Sequence, residues 1–222
     1  MVTLTFWFVW HTLSGGKFLR AFVMILAAAA SGIYWSARPY LLTFLFSAVY
    51  LFLLEADKEN AHSQIGAWRG YWRLWVLPVL MIIWANSHGG FVVGFIVWGV
   101  YFVSAFFDSL LEFFSRDDRE ARGFSENFGR MLANTRLRVL GIVGLLLVLA
   151  VCINPNGPAM LLYPFKTVGI DVLHQFIQEW QSPNFHETSV LPFLWLLLTT
   201  IAVLGLSKRR ISIEGLLLLI GF

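Results

Sequence analysis

Charged residues and cysteine are scarce in this chain of 222 residues. Charged side chains make up 13% of it, hydrophobic ones make up 58%, and there is a single cysteine. One cysteine excludes an internal disulfide, and its position inside an apolar run argues against a cysteine-based metal site. A soluble domain of this length cannot bury so much apolar surface. The composition therefore predicts an integral membrane protein.

The apolar runs predict an all-α bundle that crosses a bilayer several times. Apolar residues cover every side of these runs, and helices satisfy their own backbone hydrogen bonds in lipid. Partial spans at both ends, Val2–Leu13 and Ile213–Phe222, are shorter than the roughly 20 residues that a crossing needs. We interpret residues 1–222 as one transmembrane domain and as an internal fragment of a longer chain. The six predicted complete spans are Ala21–Tyr34, Tyr40–Leu54, Leu74–Asn86, Gly90–Phe114, Val139–Ile153 and Ser189–Leu206.

The cations gather on one side of this predicted bundle. Alternation of the spans places all 16 Lys and Arg residues on one face, except Arg38 and Lys166. By the positive-inside rule, the cation-rich face is cytoplasmic. The same short loops account for the sequence pI of about 9.2, so we exclude nucleic acid as a partner and expect membrane lipids instead.

Two short connections on the cation-poor face carry distinctive polar residues. Arg38 precedes a proline at a span boundary, where a guanidinium suits a phosphate, although an interfacial anchor is the alternative. The string Asn86-Ser87-His88-Gly89-Gly90 links two other spans. His88 suits an acid, a base or a hydrogen-bonding group, and the alternative is a plain turn in which Asn86 caps backbone groups.

The third outer segment, residues 154–188, is long. It opens with a strong turn signal, Asn154-Pro155-Asn156-Gly157-Pro158. Apolar residues at helical spacing between Ile170 and Trp180 predict an amphipathic helix on the outer membrane surface. Glu179 at its end suits a base, and Trp180 suits stacking on a sugar ring; the alternative is an interfacial tryptophan with solvated neighbours.

Metal and cofactor signals are weak. His88, His174 and His186 are all predicted on the outer face, but no pair has the spacing of an HExxH motif. We identify no cofactor and no metal-binding residue, and leave a divalent cation open.

The order of these strings resembles a group of bacterial polytopic proteins related to the GT-C membrane glycosyltransferases. The resemblance covers about residues 36–195, and it implies a bacterial plasma membrane and a polyprenyl-phosphate-linked sugar donor used on the extracytoplasmic face. The matching strings are Ser36-Ala37-Arg38-Pro39, Trp84-Ala85-Asn86-Ser87-His88-Gly89-Gly90-Phe91, Asn154-Pro155-Asn156-Gly157 with Tyr163-Pro164-Phe165, and Glu179-Trp180-Gln181-Ser182-Pro183.

The resemblance also implies a reaction. An acceptor hydroxyl attacks the anomeric carbon, a carboxylate acts as base, and cations hold the departing phosphate. On this glycosyltransferase hypothesis, the catalytic residues are His88 and Glu179. In GT-C enzymes the key acid usually lies in the first outer loop, which we interpret to precede this chain. The implied substrate-binding residues are Arg38, Asn86, Asn154, Lys166, Trp180 and Gln181.

Two other classes of protein remain as alternatives. A lipid or solute transporter predicts ionisable groups at mid-membrane depth, and the centres of the predicted spans contain essentially none. A non-catalytic membrane scaffold fits the small residues at Ala27–Ala30, which suit close helix packing. Because a scaffold needs no polar strings on one face, the enzyme is the preferred hypothesis.

Overall fold

The computed structural model describes residues 1–61, 68–115, 129, 134–169, 183–208 and 211–222. Within these ranges the chain is all-α and contains no β-strand, which confirms the predicted fold class. Short 3-10 turns connect several of the helices. The α-helices are α1 (Val2–Thr12), α2 (Lys17–Ser31), α3 (Tyr40–Ala61), α4 (Val76–Ser87), α5 (Val92–Ser115), α6 (Thr135–Cys152), α7 (Tyr163–Val168), α8 (Leu191–Leu206) and α9 (Ile213–Gly221).

Four helical segments are long and apolar enough to cross a membrane. They are Lys17–Tyr34, Tyr40–Lys58, Gly89–Leu111 and Thr135–Cys152, as expected of an integral membrane protein. Two further apolar helices are shorter, with 12 residues in α4 and 16 in α8. At a rise of 1.5 Å per residue these reach about 18 and 24 Å, against about 30 Å of hydrocarbon. The count of six complete spans stays a prediction.

Helices α3, α4, α5 and α6 enclose the core. Tyr50, Trp84 and Leu140 are fully buried in it. A glycine permits the contact between α5 and α6, because a Cβ added at Gly144 would overlap the indole ring of Trp98. That indole donates a hydrogen bond to the Leu140 carbonyl at 3.1 Å. Small residues serve the same purpose wherever membrane helices approach closely.

The remaining helices lie outside this core. Helix α1 lies against α3, α9 lies against α5, and α2 pairs with α8. No residue of α2 or α8 is buried, and Phe18 on α2 is 96% exposed. Apolar side chains that contact no other protein atoms suit contact with lipid.

Contacts between helix ends show that the four core helices alternate in direction. The start of α3 meets the end of α4 and the start of α5, and the end of α3 meets the start of α6. We call the two ends of the bundle the His88 end and the Asp57 end. Contacts at the His88 end include Thr43–His88 and Asn86–Ile153, and those at the Asp57 end include Asp57–Arg136 and Asn134–Ser109.

Candidate functional site

A cleft of about 350 Å³ opens at the His88 end of the bundle. One wall is the end of α4 and the start of the following 3-10 turn, and the other is the connection between α6 and α7. We call it the His88 cleft. Its polar lining residues are Asn86, Ser87, His88, Asn154, Asn156 and Tyr163.

Backbone geometry and two donors position His88. Helix α4 ends at Ser87, and His88 adopts an extended conformation with φ −157° and ψ 140°. The Gly90 N–H donates to His88 Nδ1 at 3.1 Å, and Thr43 Oγ1 lies 2.8 Å from the same nitrogen. The buried Trp84 indole donates to Thr43 Oγ1 at 3.2 Å. His88 Nδ1 therefore contacts α3 and the turn at Gly90 directly, and Trp84 on α4 supports the Thr43 contact.

The electrostatic surroundings favour a neutral His88. The residue is half-buried, and this burial lowers the pKa of its imidazole below the ordinary value of 6.5, because the charged form loses hydration. Burial therefore favours the uncharged form of the ring.

Two side chains approach the backbone so closely after His88 that both positions require glycine. A Cβ at Gly89 would lie 2.6 Å from Cε1 of Tyr163. At Gly90, it would overlap the hydroxyl of Thr43. Glycine is the residue that lets a backbone come so near to side chains. The sequence predicted a close approach here, and the structure identifies Tyr163 and Thr43 as the approaching groups.

Asn86 joins the two walls of the cleft. Its Nδ2 donates to the Ile82 carbonyl at 2.8 Å and to the Ile153 carbonyl at 2.8 Å. The Ile82 carbonyl lies one turn before Asn86 within α4, and the Ile153 carbonyl lies just past the end of α6, where helical partners run out. Asn86 thus connects α4 to α6 and leaves its amide oxygen on the exposed side chain, within the lining of the cleft.

Asn154 shapes the turn that forms the second wall. Its Oδ1 accepts the Asn156 N–H at 2.7 Å, and its Nδ2 donates to the Val151 carbonyl. Gly157 follows with φ +52°, a left-handed conformation that favours glycine. The sequence Asn154 to Gly157 therefore forms the predicted turn, and the Asn154 side chain stabilises it through hydrogen bonds to the backbone.

The structure brings together only some of the predicted site residues. His88, Asn86 and Asn154 share the cleft. Arg38 and Lys166 are exposed, and neither belongs to the described residues that line it. Glu179, Trp180 and Gln181, with the predicted amphipathic helix before them, lie outside the described residues. Thr43 is a contributor that sequence reasoning missed; its one signal is a hydroxyl inside an apolar run.

A second group of polar side chains lies at the Asp57 end, and sequence reasoning missed it. Asp57 is fully buried, and the Arg136 Nε lies 3.3 Å from its Oδ2. Around it, Lys58 Nζ lies 3.2 Å from Glu214 Oε1, and the Tyr101 hydroxyl donates to Glu55 Oε2 at 2.9 Å. We call these residues the Asp57 cluster. The predicted span ends at Leu54, whereas α3 continues to Ala61 and includes Glu55, Asp57 and Lys58.

The central pair of the Asp57 cluster is incompletely satisfied. Asp57 Oδ1 and Arg136 Nη2 are buried and form no hydrogen bond with the described residues. Such atoms raise the cost of burying the pair, since each loses water without a replacement.

Among the described residues, no group of three His, Cys, Asp or Glu side chains is arranged to hold a metal ion. Comparisons with protein families, with curated proteins and with solved structures returned no match.

Proposed function

We propose that this chain belongs to a membrane glycosyltransferase. In this proposal the protein moves a sugar from a polyprenyl-phosphate donor to an acceptor on the extracytoplasmic face of the plasma membrane. The observation that carries it is the His88 cleft: a half-buried, positioned histidine and three asparagines around a polar space at one end of a bundle of apolar helices. Hydroxyl-rich ligands suit such a set of neutral donors and acceptors.

The distribution of charge supports an outward-facing cleft. Lys58, Arg73 and Arg136 belong to the Asp57 end, where the Asp57 carboxylate interacts with both arginines. The lining of the His88 cleft contains no Lys or Arg among the described residues. By the positive-inside rule, this asymmetry favours a cytoplasmic Asp57 end, and the proposal keeps six membrane crossings.

An apolar groove supports a lipid-linked donor. It measures about 260 Å³ and lies between α1, α2 and α3, with Trp35, Phe44 and Leu51 among its lining residues. In a bilayer crossed by α2 and α3, both candidate membrane spans, the groove would open to hydrocarbon rather than water. In the proposal the polyprenyl chain occupies this groove, and Arg38, between Trp35 and Leu41 of the lining, binds the phosphate, assisted by Lys166.

The proposed reaction forms one bond and breaks one bond at the anomeric carbon. The acceptor oxygen bonds to this carbon as its bond to the phosphate oxygen breaks. Glu179, as base, takes the acceptor's proton, and the phosphate leaves as an anion beside Arg38. His88, Asn86 and Asn154 hold the sugar, and Trp180 and Gln181 extend the proposed site from the segment after α7.

Sugar transfer by the full-length protein in proteoliposomes tests this function. Radiolabelled polyprenyl-phosphate sugars serve as donors, and the assay follows loss of label from the donor. His88→Ala and Arg38→Ala should each abolish transfer. Thr200→Ala is the matched control, because the Thr200 hydroxyl donates to the Leu196 carbonyl of its own helix and Thr200 does not line the cleft. Unchanged turnover in both active-site variants would reject the assignment.

The Asp57 cluster favours one second candidate, a lipid or solute transporter. Buried charged residues in membrane helices commonly mark a transport path, and Asp57 and Glu214 are buried. They lie near helix ends rather than at mid-depth, which keeps transport in second place. Flux of labelled lipid or solute into proteoliposomes without sugar transfer would favour this candidate.

A further inference from the structure

The His88 cleft contains enough hydrogen-bond geometry to determine where the imidazole proton lies. A backbone N–H can only donate, so the Gly90 contact makes His88 Nδ1 an acceptor. The indole N–H of Trp84 can only donate as well, so the Thr43 hydroxyl accepts from it. The Thr43 proton is then free to point at Nδ1, 2.8 Å away.

This chain of donors has a chemical consequence. With Nδ1 accepting from two groups, the neutral imidazole carries its proton on Nε2. Protonation of Nδ1 would displace both donors, so these contacts disfavour the cation. Burial acts in the same direction, because it lowers the pKa of the imidazole. Tyr163 is the other titratable group among the described residues lining the cleft, and burial is the one resolved cause of the His88 shift.

The charge of the described lining residues also favours a neutral ligand. With His88 neutral, none of the described residues that line the cleft carries a charge. Asn86 and Asn156 supply amide groups, and Tyr163 supplies a ring and a hydroxyl. Anions such as phosphate are usually held by cations or by converging backbone amides, and a neutral polyol needs neither.

We propose that Thr43 is a positioning residue that fixes His88 as an Nε2–H donor, and that the His88 cleft therefore binds the neutral hydroxylated part of a ligand rather than its phosphate. This deepens the proposed function and rests on it for the identity of the ligand, a sugar. It gives His88 a role as a fixed hydrogen-bond donor, and it gives a physical reason for phosphate recognition by Arg38 outside the cleft.

Nitrogen-15 NMR of histidine-labelled full-length protein in nanodiscs tests the position of the proton. His88→Gln identifies the His88 signals by their loss. Wild type and Thr43→Ser, which keeps the hydroxyl, should show a protonated Nε2 and an unprotonated Nδ1. Thr43→Val removes the shorter of the two contacts to Nδ1 and leaves only the Gly90 N–H, so a fraction of the Nδ1–H form should appear beside the Nε2–H form. An Nδ1–H form in wild type, or a tautomer that is unchanged in Thr43→Val, would overturn the role of Thr43.

Titration with small probes tests the neutral ligand. Methyl hexopyranosides should shift the His88 signals saturably, with affinity about tenfold weaker in Thr43→Val than in Thr43→Ser, the loss expected from one hydrogen bond. Inorganic phosphate should leave the signals in place. Displacement of the glycoside by phosphate, or no shift with any glycoside, would overturn the proposal. Neither measurement requires turnover, so failure of this inference can be distinguished from failure of the proposed function in the transfer assay.

Discussion

The buried ion pair between Asp57 and Arg136 should be the most sensitive charged contact of the bundle. The Asp57 side chain is 1% exposed and that of Arg136 is 12% exposed. Removing one partner of a buried pair costs about 3–5 kcal/mol, because the other charge stays buried without compensation. Arg136 is slightly exposed, and the native pair already contains unpaired buried atoms. We therefore expect the loss of unfolding free energy in Asp57→Asn to lie at the lower end of this range, about 3 kcal/mol. This corresponds to roughly a 150-fold change in the unfolding equilibrium.

A double-mutant cycle measures this loss. Unfolding is followed by far-ultraviolet circular dichroism in mixed micelles with increasing sodium dodecyl sulfate. Asp57→Asn and Arg136→Gln should each destabilise strongly, and the double variant should lose less than their sum, with a coupling energy of about 2 kcal/mol. Lys208→Gln, at an exposed position, is the control and should change stability by less than about 0.5 kcal/mol. Additive effects, or single variants as stable as wild type, would refute the reasoning.

Two further predictions concern the His88 cleft. Gly89→Ala should destabilise the protein by about 1–3 kcal/mol, since its Cβ would lie 2.6 Å from Tyr163, whereas Gly99→Ala, with no atom within 4 Å, should be neutral or stabilising in the same unfolding assay. Burial lowers the His88 pKa from 6.5, so the unfolded chain binds a proton at His88 more readily than the folded protein does. The stability that neutral His88 contributes is therefore present above pH 6.5 and is lost as the pH falls below that value. Unfolding between about pH 8 and pH 5 should show this loss in wild type and not in His88→Gln, and equal pH dependence in both would contradict it.

The helices were predictable from hydropathy, because lipid removes the need to distinguish one helix face from another. The predicted run Tyr40–Leu54 lies within α3, Tyr40–Ala61, and Gly90–Phe114 differs from α5, Val92–Ser115, by two residues at one end and one at the other. The largest difference is the end of α3. Hydropathy falls at Glu55, yet the helix continues because the charges that follow find partners in the bundle.

The partners themselves were not predictable from one sequence. Arg136 lies 79 residues after Asp57, and the Thr43 hydroxyl that holds His88 lies 45 residues before it. Neither separation follows from a periodic pattern, since both depend on which helices become neighbours. The string around His88 did mark the position of the cleft, because glycines and polar residues between two apolar runs are unusual. The turn signal at Asn154 likewise marked the segment that forms the opposite wall. The contact between the two walls, however, depends on how the helices pack and does not follow from either string.

The sidedness of the His88 end is the claim on which the functional account depends. In a Cys152→Ala background, cysteine is introduced at exposed Ser87 at the His88 end and, as the opposite control, at exposed Trp72 beside the Asp57 end. Intact cells are treated with a membrane-impermeant maleimide before and after permeabilisation. The account predicts labelling of Ser87→Cys in intact cells and of Trp72→Cys only after permeabilisation. The reverse pattern would contradict an extracytoplasmic site.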